Sequence, residues 1–553
     1  MKPSQSLNQV AKVLVSLTLV FAYPLLLPGQ SDKKSTPPPP PQKSAPAPAP
    51  PHTQQHSQQQ GQPPARVNTP TGAQGGRSTT TTTQPGSNRG TAAQPNGKLG
   101  NPTHVAGVTA GKNNVPGGNT GTHSGVMNPP PGGKVVTTSK GHQVVQDSHG
   151  KVTGVLTKSG TEAHFTPTGK LSAIKTVSGT TITHSSSGAR LVESPRTSPS
   201  GQPYKIVSNG AGRGYVERSF SKGGREYMRR TYVYEGRTNV YVYRNYYYGG
   251  VRYYGYVPGY YYGSGFYGWA YTPWVAPVPY AWGWGAAPWY GYYGYYWTPD
   301  PVYSSAAFWM TDYIISENLR AAYEARAAGG SNVESNPGTE SQGSQNDSGV
   351  LTPQVKQMIA EEVKQQLAAE QAAADQGKGG APGVTAAPKD SGEKSEAVPP
   401  ALDPNIKVFI VTTGLTVDTK EGQTCPLSPG DVLMRTGTTP DQEQKVTVSL
   451  ASRQKADCGM DTTPRVLVAN LQEMHNHFRE QMDSGLRTLA AKQGTKDNPF
   501  PNQPVAGIRE NPEGQAVADT SAAKDLENQK QEVQQAETEV QQASAESPAG
   551  NRN

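Results

Sequence analysis

The run Gly141-His142-Gln143-Val144-Val145-Gln146-Asp147-Ser148-His149-Gly150-Lys151-Val152-Thr153-Gly154-Val155-Leu156-Thr157-Lys158-Ser159-Gly160 holds two short apolar segments, each followed by a polar turn that ends in glycine. Glycines recur at 141, 150, 160, 169, 179 and 188, alternately 9 and 10 residues apart, so three units of 19 residues begin at Gly141, Gly160 and Gly179. Each spacing accommodates one short strand and one turn, with Val144-Val145, Val152 to Leu156, Ala163 to Phe165, Leu171 to Ile174, Ile182 and Leu191-Val192 as the apolar positions. Apolar runs this short, punctuated by Gly at a fixed period, predict a β-meander of three repeats over 134–197.

Strand patterning continues through 198–257. Tyr241-Val242-Tyr243-Arg244 alternates, and Gly223-Gly224, Glu235-Gly236 and Gly249-Gly250 fall at hairpin distances. Arginines, among them Arg229, Arg230 and Arg244, interleave with these tyrosines. Two roles suit such a face: a basic aromatic surface for anionic groups, or Arg and Tyr packing on each other within the sheet. The segment from Tyr232 to Tyr303 carries 22 of the 28 Tyr and six of the seven Trp, namely Trp269, Trp274, Trp282, Trp284, Trp289 and Trp297. Within 258–303, Pro at 273, 277, 279, 288, 299 and 301 interrupts ladders and helices, which predicts irregular coil with collapsed rings.

Toward the N-terminus, 30–133 is Pro, Gln, Thr, Gly, Ser and Asn with homopolymer runs, the composition of a disordered tether. Before it, Lys2 and Lys12 precede an apolar run from Val13 to Leu27, broken by Pro24. That run suits the core of a signal peptide over 1–29, with an uncleaved anchor as the alternative; no Cys follows it, which argues against lipid attachment. Export would set nucleic acid aside as a partner. Charge is polarised: residues 1–330 carry 30 Lys and Arg against 11 Asp and Glu, and 331–553 carry 20 against 31. The basic half suits acidic polysaccharide or lipid headgroups, and the acidic half can neutralise it in part or aid solubility.

Toward the C-terminus, 304–328 reads as a helix, 329–350 as a linker, and 351–376 as an amphipathic helix with Thr352 as N-cap and Pro353 at its first position. A second linker, 377–403, leads to 404–494, the one segment that reads as an ordinary small α+β domain. It combines strand-like runs, the turn Leu427-Ser428-Pro429-Gly430-Asp431-Val432 and a helix from Asn470. The only cysteines, Cys425 and Cys458, both lie here and form either one disulfide or two buried thiols. His475 and His477 are two residues apart, on different helical faces. In the tail, 495–553, Leu526, Val533 and Val540 fall seven apart with Ala522, Ala536 and Ala543 as companions, but Gln529 breaks the seam. The expectation is a disordered tail ending in a single solvated helix.

Together these segments describe a largely disordered low-complexity chain carrying β-meander repeats, isolated helices and a small α+β domain. The turns Asp147 to Val152, Thr166 to Leu171 and Ser186 to Leu191 resemble the D-x-x-G-[RK]-[LV] turn of YD (Rhs-type) repeats, which implies secreted β-structure for 141–197. The whole order of segments, including Ala307-Phe308-Trp309-Met310-Thr311-Asp312-Tyr313 and Pro429-Gly430-Asp431-Val432-Leu433, resembles uncharacterised exported proteins of environmental bacteria. That resemblance implies export and a two-Cys unit, and no activity.

No cofactor or metal motif stands out. Asp431, Asp441, Asp457 and Asp461 are the only carboxylates an enzyme reading would use, and all sit in turn-like surroundings without a partnered His. The expected function is therefore that of a non-enzymatic envelope or cell-surface protein, periplasmic or outside the cell. It would attach through the six Trp with Arg229, Arg230 and Arg244 to acidic polysaccharide, lipid headgroups or a protein. The alternative is a carbohydrate-binding surface of stacked Trp and Tyr.

Overall fold

The computed structural model describes residues 128–185, 188–234, 236–330, 350–376, 397–454 and 457–546. The expected leader, most of the tether and most of both linkers lie outside these residues. Twelve strands follow one another in an antiparallel sheet whose spatial order is the chain order. They are β1 (Lys134–Thr137), β2 (Gln143–Gln146), β3 (Val152–Leu156), β4 (Glu162–Phe165), β5 (Leu171–Lys175), β6 (Thr181–His184), β7 (Arg190–Thr197), β8 (Pro203–Ser208), β9 (Gly214–Lys222), β10 (Arg225–Tyr234), β11 (Arg237–Tyr248) and β12 (Val251–Val257).

The turns explain why the repeat folds this way. In the β3–β4 turn the Thr157 hydroxyl accepts the Thr161 N–H at 3.0 Å, the Gly160 N–H bonds the Thr157 carbonyl, and Gly160 has φ of 92°. Asp147, Thr166, Thr176 and Ser198 accept the amide four residues on in the same way, each with a positive-φ Gly between. A type I turn closed by a left-handed residue matches the twist of paired strands, and only glycine enters that conformation without steric cost. The register then lines up Val144, Val155, Ala163, Ile174, Ile182 and Val192 as directly paired residues across six strands. All six are fully buried.

After β12 the chain forms β13 (Tyr260–Tyr261), α1 (Ser264–Tyr271), β14 (Val278–Pro279), α2 (Pro288–Tyr293), β15 (Val302–Tyr303), α3 (Ala306–Ala328) and α4 (Pro353–Asp375). The Thr352 hydroxyl accepts the Val355 N–H at the start of α4. Next come β16 (Val408–Ile410), β17 (Leu415–Thr419), β18 (Thr424–Leu427), β19 (Val432–Arg435), β20 (Lys445–Ser452) and β21 (Pro464–Leu467), a six-stranded sheet in the order β16-β19-β20-β21-β17-β18. A disulfide joins Cys425 of β18 to Cys458, closing a separation of 33 residues. In the Cys425→Ala/Cys458→Ala variant, loss of a loop closure that long is expected to lower stability by about 3 to 4 kcal/mol. An unchanged denaturant midpoint in that variant would remove the disulfide from the account of stability.

Helix α5 (Val468–Lys492) is the hub. It packs on β12, on the six-stranded sheet and on α3, and a buried ion pair between Arg479 and Glu370 ties it to α4. The segment after α5 is a strap: β22 (Arg509–Glu510) pairs with β13, and α6 (Ala522–Ala545) then lies across the strands of the meander. Val533, Ala536, Val540 and Ala543 pack on the row from Val144 to Val192, and Ala522 with Leu526 on Ile206 and Val216.

The expectation of a largely disordered, low-complexity chain is overturned for the described residues. They form a packed α+β fold with a buried core and ion pairs between segments hundreds of residues apart. The apolar area comes from residues that a count of aliphatic side chains undervalues: Tyr and Trp rings fill the largest core cluster. The Pro-rich stretch 258–303 contains two short helices and a two-stranded pair in place of coil, because its prolines sit at ends, as Pro288 does at the start of α2. The tail is likewise bound. Gln529, which reads as a break in the seam, is buried with its amide bonded to Ser194, Ser208 and the Ile206 carbonyl.

The charge polarity of the sequence is resolved inside the molecule. Arg190 pairs with Glu537, Arg196 with Glu532, Arg218 with Asp519 and Asp525, Arg230 with Glu473, and Arg244 with Glu513. In each pair the cation comes from the basic half and the acid from the acidic half.

Candidate functional site, an aromatic strip

The six tryptophans converge. Trp269 of α1 stacks between Phe266 and Trp274, with centroids 5.5 and 5.4 Å away. Trp274 tilts against Phe500, and Phe500 stacks on Tyr280 at 5.7 Å. Tyr280 sets its ring edge to Trp282 and Trp309, and Trp282 stacks between Trp309 at 5.3 Å and Trp284 at 5.2 Å. Trp284 then meets Trp289, Tyr290 and Trp297. Trp289, Trp297 and Trp309 are buried, while Trp269, Trp274, Tyr280, Trp282, Trp284 and Tyr290 are half-buried and reach the surface.

The segment that carries the indoles of the strip is uncharged, and one cation, Lys492 of α5, stands 5.7 Å from the centre of the Tyr280 ring at its border. Between Arg252 and Asp300 the chain has no Asp, Glu, Lys or Arg, and its connecting loops expose Val275 fully together with Pro273, Pro277, Pro279, Gly283 and Gly285. Beneath lies one buried carboxylate. Asp312 of α3 accepts from Trp297 Nε1 at 3.0 Å, from the Asp300 N–H at 2.7 Å and from the Tyr303 hydroxyl at 2.8 Å, and it pairs with Lys356 of α4 at 3.0 Å. Tyr303 in turn accepts from Trp282 Nε1 at 2.8 Å. Ring positions are thus fixed through hydrogen bonds as well as packing.

The arginines do not join the strip. Arg229 and Arg230 are neighbours on β10 and so face opposite sides of the sheet. Arg229 donates to the Val517 carbonyl of the strap, whereas Arg230, 3% exposed, bonds Glu217 and Glu473 and lies over Tyr243 and Tyr215. Arg244 donates to Glu513, which also accepts from Tyr227.

Sequence reasoning missed Phe500, Tyr280 and the pair Asp312 and Lys356. The available signals were an isolated Phe between prolines in a polar tail and a lone Asp inside the apolar run Ala307 to Ile315.

The aspartates of the enzyme reading serve turns. Asp431 is buried and accepts from the Ser428 and Gln454 amides, both at 2.9 Å, while Asp457 accepts from the Ser428 hydroxyl at 2.8 Å. Burial, then the neighbouring Asp457, push the Asp431 carboxyl well up. Asp441 accepts from the Glu443 and Lys445 amides and from Arg465. A cleft of about 400 Å³ beside it is lined by Lys420, Lys445 and Arg465, and Lys445 and Arg465 are paired with Asp418, Asp441 and Glu443. His475 is buried, and burial followed by Arg479 push its imidazole down to about 3; His477 contacts Glu480 and Gln481.

Among the described residues no cluster of His, Cys, Asp and Glu could hold a metal ion, and no helix is long and apolar enough to cross a membrane. What the strip offers is contact: a connected set of half-exposed rings carried by an uncharged segment, with Lys492 at one border. Comparison with protein-family models, curated proteins and solved structures finds no match to the chain.

Proposed function

We propose that this chain is an exported, non-enzymatic surface protein whose aromatic strip binds neutral polysaccharide. One observation favours a neutral ligand over an anionic one. Arg218, Arg230 and Arg244 are paired with acids from the acidic half of the same chain, and the segment that carries the six indoles, between Arg252 and Asp300, has no charged residue. Pyranose rings present apolar C–H faces and hydroxyl edges, the complement of half-exposed indole and phenol rings that combine apolar area with a polar tip. Trp274 and Trp284 are half-buried and are flanked in the chain by the exposed Pro273, Val275, Gly283 and Gly285, so they are the rings chosen for the test. The disulfide suits an oxidising compartment, in keeping with export.

The test is retention of the full chain on insoluble cellulose and chitin, compared with an acidic polysaccharide and anionic lipid vesicles. Retention on a neutral polymer is expected to be the same in about 0.05 and 0.5 M salt, because interactions without charge are not screened. Trp274→Ala and Trp284→Ala together are expected to weaken it roughly tenfold, at about 0.5 to 1.5 kcal/mol for each indole ring removed from the sugar-facing surface. Arg229→Gln is expected to leave it unchanged. Retention confined to the acidic polymer or vesicles and abolished by salt would overturn the reading.

A further inference from the structure

The meander and α6 carry two different sequence periods that coincide in space. The buried residues of α6 are Ala522, Leu526, Gln529, Val533, Ala536, Val540 and Ala543, stepping alternately by four and three. A mean step of 3.5 residues is about 5.2 Å of helix rise. Neighbouring strands lie roughly 4.8 Å apart. One buried helix residue therefore falls on each strand, and seven residues of helix span one hairpin of nineteen.

One set of acids, Glu532 and Glu539 of α6 and Glu546 just past its end, falls at twice that step. Glu546 pairs with Lys140 in the β1–β2 turn, and Glu539 accepts from the Ser159 hydroxyl at 2.6 Å in the β3–β4 turn. Glu532 accepts from Thr176 at 3.0 Å, from Ser178 in the same β5–β6 turn, and from Arg196 of β7. These acids are seven residues apart, and the turns they meet are nineteen apart on one edge of the sheet. On the other side of the helix Glu537 holds Arg190 at 2.8 Å.

We propose that the hairpin array and α6 together form a stiffened spacer whose length is set in coupled units, nineteen residues of sheet to seven of helix. A single-layer meander is pliant across its strands, the direction along which α6 runs, so the helix acts as a rib. Eleven gaps of roughly 4.8 Å hold β1 about 50 Å from β12, which leads into the aromatic strip. The inference is independent of what the strip binds.

Full-length chains test it by hydrogen exchange. The first has one hairpin added by duplicating residues 160–178, which rebuilds the Thr-Val-Ser-Gly-Thr turn at the junction. The second also has residues 533–539 duplicated. The third has the added hairpin with five residues inserted after Glu539 instead of seven. The second is expected to protect α6 and every hairpin within about twofold of the parent. In the first, α6 is one heptad short, and in the third its apolar face is turned away beyond the insertion, so β1 to β3 should exchange at least tenfold faster. Equal protection in all three, or no rescue in the second, overturns the coupling. Should the lengthened chains fail to fold, Glu539→Gln and Glu546→Gln decide. Faster exchange confined to residues 157–161 and 138–142 respectively supports the coupling, and uniform or absent change overturns it.

Discussion

Arg230→Gln is expected to destabilise the folded chain by about 3 to 5 kcal/mol, the scale for removing one partner of a buried ion pair. The guanidinium is 3% exposed, donates to Glu217 at 3.0 Å and to Glu473, and lies 4.5 Å from the centre of the Tyr243 ring. It links β10 to α5, beside the Tyr232 hydroxyl that bonds Glu480. Replacement leaves the Glu217 side chain, 7% exposed, without its cation. Desolvation opposes ionisation of Glu473, yet the Arg230 charge holds its carboxyl below the ordinary value. A group depressed in this way contributes stability above its unfolded value of about 4.3 that is lost as pH falls through its folded value, so the gap between parent and variant should narrow in acid. Equilibrium denaturation at pH 7 and pH 3 measures both effects. A cost below about 1 kcal/mol at pH 7 would mean that the pair is solvated and that Arg230 is available to outside anions.

Lys356→Met is expected to cost a similar amount, about 3 to 5 kcal/mol at pH 7, and to loosen the aromatic strip. Lys356 is 5% exposed and bonds the fully buried Asp312, as well as Asp300 and the Thr298 carbonyl. Without it Asp312 has three neutral donors and no countercharge. Burial already raises the Asp312 carboxyl, against the pull of Lys356, and removing that pull raises it further. A group raised in the folded state favours folding in acid, and that support is lost as pH rises through its folded value. The defect should therefore be smallest below about pH 4, the unfolded value for Asp. Adding Asp312→Asn should recover part of the loss, since no buried charge then remains. Tryptophan fluorescence reports the strip directly through Trp297 and Trp282, which bond Asp312 and Tyr303. A variant with unaltered emission and stability would show that the carboxylate does not organise the rings.

The local half of this structure was legible in residues 141–197. A hydroxyl or carboxylate, two residues, a glycine and then an amide four positions from the start make a closed unit of hydrogen bonds, and the chain needs nothing distant to form it. The helix start at Thr352 was legible for the same reason, because its hydroxyl meets an amide three residues away. Separation in the chain limits everything else. The excess of Lys and Arg before residue 330 and of acid after it is visible as a total, but whether those charges face solvent or each other depends on which strands and helices meet. Arg218 and Asp519 are neighbours only because the strap crosses β9. Gln529 interrupts an apolar seam when α6 is considered alone; opposite Ser194 and Ser208 it is the matching residue. The tryptophans of 269–297 announced an aromatic surface, yet their order within it required Phe500 from the tail and Asp312 and Lys356 from two helices. Turn chemistry and period act over a few residues and are written in the sequence, whereas burial and charge pairing are properties of surfaces that exist only once the chain has folded.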